Sequence, residues 1–333
     1  MHQIARELPG LDCWFSQVFT DNRLLNFIIK HSTLANGTAL AGQFRSNSEK
    51  YMLQHGLQMD YGAVKNTYDL VVYCSDLLIP LRMRRHKTIW VQEGMVDRAT
   101  IISKLVKALK LPPALPGNTS LNGSTNICDV YCVASAGYKD FFATMGTARK
   151  KIVVTGIPNY DDLEKFRIND FPYQDYVMVA TTDMRETFRI EDRPAFIKKA
   201  VELAAGRRLL FKLHPNEDFK RAEREIRTWA PKDTLIFTSG NTNEMIANCS
   251  ELITQYSTVV FTGIALGKKV HSWFDVDELE KLMPIQNGGT SAKNIAAICR
   301  AYINHTGRPA AFIPQTVPVQ QLKKKYTEEL VLT

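Results

Sequence analysis

The chain has 333 residues, 45% hydrophobic and 23% charged, the composition of a globular protein of about two domains and not of a disordered chain. No apolar run reaches the ~18 residues of a membrane span, and MHQIARELPG lacks the basic-then-apolar pattern of a secretory leader. The net charge of +8 fits anionic partners, which include nucleotides and anionic lipids. It gathers at Arg82, Arg84, Arg85 and Lys87, at Arg149, Lys150 and Lys151, and at Lys323, Lys324 and Lys325, each of which also reads as a solvated face. No interleaved aromatics, helix-turn-helix or zinc-knuckle pattern accompanies them, so nucleic acid is not an expected partner. Cys13, Cys74, Cys128, Cys132, Cys249 and Cys299 form no Cys-x-x-Cys pair and read as reduced thiols of a cytoplasmic protein.

Along the chain, a helix is expected over residues 3–8, where a doubly wound domain would normally open with a strand. Short apolar runs follow at 71–73, 88–91, 130–133 and 152–154, with a helix at 136–145. They lack polar alternation, as strands buried on both faces do. The second half repeats this grammar. Strands are expected at 176–180, 209–213, 235–238, 252–254 and 269–272. Helices are expected at 193–205, 217–229, 243–249, 257–266 and 294–304. Alternation of this kind predicts parallel sheets with crossover helices. The turn-rich stretch after TGIPNYDDLEKF sets the expected boundary, giving domains 1–165 and 166–333. Two α/β halves joined there would leave a cleft between them, and ligands of open α/β sheets bind outside the carboxyl ends of strands.

Most of the candidate chemistry falls at such ends. In TIWVQEGM, Gln92 and Glu93 follow a strand and Gly94 permits a tight turn. Glu93 is a candidate base for an acceptor hydroxyl, or else a carboxylate stabilising a following helix. In IISKLVKALK, residues 101–110, Ile101, Ile102, Leu105, Val106 and Leu109 share one helical face, with Lys104, Lys107 and Lys110 largely opposite. That pattern suits either an ordinary domain helix or a segment resting on an anionic membrane. In VVTGIPNYDDL, Gly156, Pro158 and Asn159 shape a hinge loop at the domain junction. In ATTDMRE, Thr181, Thr182 and Arg185 are candidates for donor phosphate or base, with Asp183 as a turn residue.

In FKLHPNED, Lys212, His214 and Glu217 cluster at a strand end and Pro215 stops the ladder. A histidine beside a lysine there can hold a diphosphate, although a lone histidine in a turn is more often structural. In ITQYSTVVFTGIALGKKV, a strand runs into Gln255, Tyr256, Ser257 and Thr258, with Ser257 expected to cap the next helix. Hydroxyls, free amides and the helix dipole would make an anion site, or simply a capped helix.

Taken together these motifs resemble those of GT-B enzymes. ITQYSTVVFTGIALGKKV resembles the donor segment of CDP-glycerol glycerophosphotransferases, and KLHPNE the His-Pro motif they share with bacterial sialyltransferases and capsule Kdo transferases. VQEG resembles the Gln-Glu motif of the Kdo transferases. VTGIPNYD is similar to the hinge of UDP-N-acetylglucosamine 2-epimerases. The resemblance covers roughly residues 88–300 and implies two Rossmann-like doubly wound domains facing a cleft.

It further implies a nucleotide-sugar donor of the UDP or CMP/CDP type. His214 would lie at the donor phosphate, Ser257 and Thr258 would bind phosphate, and Glu93 would be the base. Gln255 and the Gly267–Lys268–Lys269 turn depart from the pattern. The expected activity is metal-independent glycosyl transfer to a glycan or lipid-linked acceptor, without a cofactor, at the inner face of the cell membrane. A 2-epimerase, a glycerophosphotransferase and an inactive scaffold are the alternatives.

Overall fold

The computed structural model describes residues 1–32, 40–97, 99–186 and 190–315, so the lysine cluster at 323–325 lies outside the described residues. The helices α1 (His2–Arg6), α2 (Arg23–His31) and α3 (Gly42–Gln54) come first. There follow β1 (Leu70–Tyr73), β2 (Lys87–Val91), α4 (Ile101–Ala108), β3 (Val130–Val133), α5 (Ala136–Thr144) and β4 (Ile152–Val154). Next come β5 (Tyr176–Ala180), α6 (Arg193–Ala204), β6 (Leu209–Lys212), α7 (Phe219–Trp229) and β7 (Leu235–Phe237). The series closes with α8 (Thr242–Asn248), β8 (Cys249–Thr254), α9 (Val259–Ala265), β9 (Lys269–His271), α10 (Val276–Leu282) and α11 (Ser291–Ile303). Both sheets are parallel throughout, so the α/β class with two Rossmann-like units expected of a GT-B protein is present.

The units divide differently from the expected 1–165 and 166–333. One is continuous from Asp162 to Gln286; the other runs from Met1 to Asp161 and resumes at Asn287. The reason lies in the first sheet, ordered β1-β2-β3-β4, one face of which needs cover. The five-residue α1 supplies only Ile4, with Leu8 just beyond it. Helix α11 fills the rest: Ala292, Ile295, Ala296, Ile298, Cys299 and Tyr302 pack on Ile89, Val91, Val130, Cys132 and Val153. Lys87 then caps α11, its ammonium donating to the carbonyls of Tyr302, Ile303 and His305 at 3.0, 2.7 and 2.8 Å. Lys87, expected on a solvated basic face, is thus a tether that holds the returning helix.

The second sheet has the order β7-β6-β5-β8-β9. The chain moves outward from β5 to β7, returns to the other side of β5 and continues to β9. The order therefore reverses between β5 and β8, which is the topological switch point of a Rossmann sheet. One face is covered by α6 and α7, whose Phe196, Ile197, Ala200, Ala222 and Ile226 pack on Val177, Val179 and Phe211. Both helices begin where the sequence marks a cap. Asp192 accepts from the Ala195 amide at 2.9 Å, and Asp218 from the Arg221 amide at 3.1 Å. α7 therefore starts two residues later than expected, and Glu217 is left out of it.

Candidate functional site

The carboxyl ends of β6, β5 and β8 lie side by side, because Ala180 is in register with Lys212 on one side and with Thr254 on the other. Neighbouring strands are about 4.8 Å apart, so residues just past these three ends share one patch about 10 Å across. Most of the donor-site residues expected from the sequence fall there: Thr181, Lys212, His214, Pro215, Gln255, Tyr256, Ser257 and Thr258.

The His-Pro segment is a tight turn. The Glu217 amide donates to the His214 carbonyl at 3.1 Å, which puts Pro215 at the position where its fixed φ favours a turn. Glu217 then folds back: its Oε2 accepts from the His214 amide at 2.8 Å and from the Thr181 hydroxyl. Its Oε1 accepts from Arg193 Nη2, and Arg193 also pairs with Glu191 at 3.0 Å. The side chains of Glu191, Glu217 and Arg193 are sealed from solvent. Arg193 Nη2 also donates to the Thr182 carbonyl at 3.3 Å, and the Thr182 hydroxyl to Gln255 Oε1 at 3.0 Å. One buried chain of polar groups therefore runs Gln255–Thr182–Arg193–Glu217–His214 beneath all three strand ends.

Burial sorts the expected residues into two layers. Thr181, Lys212 and Gln255 are buried, and they support the surface from below. Lys212 donates to the Leu213 carbonyl at 2.9 Å, and burial lowers the pKa of its ammonium. The side chains of His214 and Tyr256 are about one-third exposed, Ser257 and Thr258 are half-buried, and Pro215 is exposed. These form the surface layer. His214 Nδ1 accepts from the Asn216 amide at 3.3 Å, which leaves Nε2 as the protonated nitrogen, and Asp183 Oδ2 lies 3.6 Å from Nδ1.

Two expectations are corrected. Ser257 does not cap the next helix by the expected geometry. α9 begins at Val259 after Thr258, and the Val260 and Phe261 amides bond to the carbonyls of Ser257 and Thr258 at 3.3 and 3.1 Å. That tight first turn uses two amides that a regular α-helical start would leave free for an anion. Arg185 also has a different role. It holds Glu225 through two bonds of 2.7 and 2.8 Å and lies 3.2 Å from Glu191, so it is a bracket in the ion network and not a free phosphate ligand. Arg185 keeps the Glu225 carboxyl below its usual range.

Sequence reading missed Arg193, because arginine in the first turn of a helix signals nothing about the strand ends it will bridge. It also missed Trp273. Tyr256 meets Trp273 and Phe274 edge-on, with centroids 5.3 and 5.0 Å away, and Trp273 is 44% exposed beyond β9. This gives the switch point an aromatic shoulder.

In the first unit, Gln92 is a backbone clamp: its Oε1 accepts from the Ala134 amide at 2.8 Å and its amide donates to the Gly94 carbonyl at 2.9 Å. That clamp turns the chain at the end of β2 and leaves Glu93 exposed. The next helix starts only at Ile101, so Glu93 does not stabilise a helix N-terminus. Asn159 Nδ2 reaches the Glu93 carbonyl at 3.5 Å, and Gly156 takes φ +74° in the turn before it. Among the described residues, no group of three or more His, Cys, Asp or Glu side chains is placed to hold a metal.

No protein-family profile matches the chain, and no curated protein matches it. Among solved structures it is similar to the UDP-GlcNAc 2-epimerase of Neisseria meningitidis bound to UDP-GlcNAc, at 12% identity and TM-score 0.49, over 78% of this chain and 90% of that one. It is similar to the Methanocaldococcus jannaschii UDP-GlcNAc 2-epimerase in complex with UDP-GlcNAc and UDP, at 14% identity and TM-score 0.47, over 77% and 79%. It is also similar to the wall teichoic acid polymerase TagF, at 13% identity and TM-score 0.41, over 77% and 84%.

Proposed function

We propose that the chain is a metal-independent glycosyltransferase that takes a sugar from a nucleotide-activated donor of the UDP or CMP/CDP type. The acceptor is a glycan or a lipid-linked molecule at the inner face of the cell membrane. The observation that carries this reading is the switch point between β5 and β8, with His214, Tyr256, Ser257 and Thr258 around it. His214 Nε2–H and the hydroxyls of Ser257 and Thr258 suit the phosphate groups. The faces of Tyr256 and Trp273 suit the nucleobase.

In the reaction, the bond between the anomeric carbon and the phosphate oxygen breaks and a bond to the acceptor oxygen forms. The acceptor hydroxyl gives its proton to Glu93. The nucleotide leaves with its new charge held by His214 and the hydroxyls. Donors fixed in advance by the Glu217–Arg193 chain need no reorganisation as that charge appears.

Replacing Glu93 with Gln is expected to leave donor binding unchanged and to lower transfer by about 100-fold or more. Calorimetric titration with UDP- and CMP-sugars, paired with nucleotide release in the presence of cell membranes as acceptor, separates the two effects. Lost donor binding in a folded Glu93→Gln protein would remove the base assignment.

A further inference from the structure

The segment that follows β2 presents its apolar side outward. In helix α4 only Ser103 and Val106 are buried against the first unit. Ile101 is 86% exposed, and Ile102, Leu105 and Leu109 are each more than half exposed. At 100° per residue these four side chains span an arc of about 100°; Val106 flanks that arc about 40° beyond Ile102, and Ser103 lies about 100° beyond it. Leu111 and Leu115 extend the exposed apolar surface past the helix end. The arrangement is held rigidly. Thr100 and Ser103 form a capping box, Ser103 bonds Ser120 at 2.6 Å, and Asp97 accepts from the amide and hydroxyl of Thr119 at 2.9 and 2.8 Å. The projection is therefore closed at its base and stands out with its aliphatic side uncovered.

Its charge has one sign. Residues 99–128 include Lys104, Lys107 and Lys110 and not one Asp or Glu. Lys107 turns back towards Gly146, where a Cβ would come within 3.1 Å of its ammonium. Lys104 is exposed about 60° round the helix from Ile101, and Lys110 is exposed just past the helix end.

We infer that this projection docks the protein on an anionic lipid bilayer, with Ile101, Ile102, Leu105 and Leu109 entering the headgroup–acyl boundary and Lys104 and Lys110 at the lipid phosphates. Charge complementarity selects this occupant. A second copy packed face to face would set the lysines of one acid-free segment against those of the other. No helix among the described residues is long and apolar enough to cross a membrane, so the surface is a peripheral contact. The inference deepens the proposed function by naming where the chain meets the membrane that carries its acceptor. Its test reads binding without donor or acceptor, so its failure is separate from a failure of the transferase reading.

The test is sedimentation of the full chain with vesicles of equimolar phosphatidylcholine and phosphatidylglycerol, against phosphatidylcholine alone. The wild-type chain is expected to bind the anionic vesicles and to bind the neutral ones at least about 10-fold more weakly. Ile102→Glu combined with Leu105→Glu is expected to lower affinity for the anionic vesicles at least about 30-fold. Lys104→Ala should lower it about five-fold. All of these side chains are exposed, so melting temperatures should match the wild type. Equal binding to both vesicle types, no binding at all, or binding unchanged in the Glu pair and in Lys104→Ala would overturn the inference. So would a dimer in sedimentation velocity that the Glu pair dissociates, because it would assign the face to a second copy.

Discussion

Alanine in place of His214 is expected to lower donor turnover by at least ~100-fold, the scale of removing one fixed donor from a developing oxyanion. Three features set that expectation. The His214 amide is fixed by Glu217, its Nδ1 is occupied by the Asn216 amide, and the ring is still about one-third exposed at the strand end. Nε2–H is therefore presented in a defined direction and is the one ring nitrogen left for a ligand. His214→Gln, which keeps a donor on a longer and less rigid arm, should recover part of the loss. Nucleotide release from the donor measures both variants. A folded His214→Ala protein with near-normal turnover would show that the turn is only structural.

Arg193→Leu should have the largest effect on stability, a loss of about 3–5 kcal/mol in the unfolding of the second unit. The arginine is the counter-charge of two carboxylates, Glu191 and Glu217, whose side chains are sealed from water. Leucine keeps much of the packing volume and removes the charge, so Glu217 is left buried without its arginine while Glu191 keeps only Arg185, at 3.2 Å. Glu217 also holds the His214 turn and Thr181, so the site should loosen with the unit. Adding Glu217→Gln to Arg193→Leu should cost less than the sum of the two single changes, because one uncompensated charge disappears. Denaturant unfolding of the three variants measures this coupling. Strict additivity would mean that Arg193 and Glu217 act independently.

The legible and illegible parts of the structure divide by the range of the interactions involved. Both parallel sheets followed from short apolar runs such as 130–133 and 176–180, because full burial on two faces leaves a local signature. The extent of α6 was similarly local, marked by Pro194 in its first turn and Gly206 past its end, whereas the Asp218 cap that starts α7 was not read. The return of α11 to the first sheet was not legible: its apolar stripe would suit either sheet, and only the sparse cover offered by α1 decides between them. The helices over residues 23–31 and 42–54, and α10, escaped a reading led by strand-like runs.

At the site, the positions could be read, because strand-end polar residues stand out against buried runs. The layering could not. Whether Gln255 and Arg185 face a ligand or brace the turn depends on partners distant in the chain, Thr182 for Gln255 at 73 residues and Glu225 for Arg185 at 40. Periodicity in 101–110 likewise defined an amphipathic helix, but which side would face solvent was set by the anchoring of Ser103 to Ser120.

The most direct test of the account is thermal unfolding of the whole chain with CMP, CDP, UDP and GDP, since a ligand that binds the native state raises the melting temperature by mass action. A rise is expected with UDP or with CMP and CDP, and it should shrink in His214→Ala. No rise with any of the four, or a rise of the same size in that variant, would contradict it.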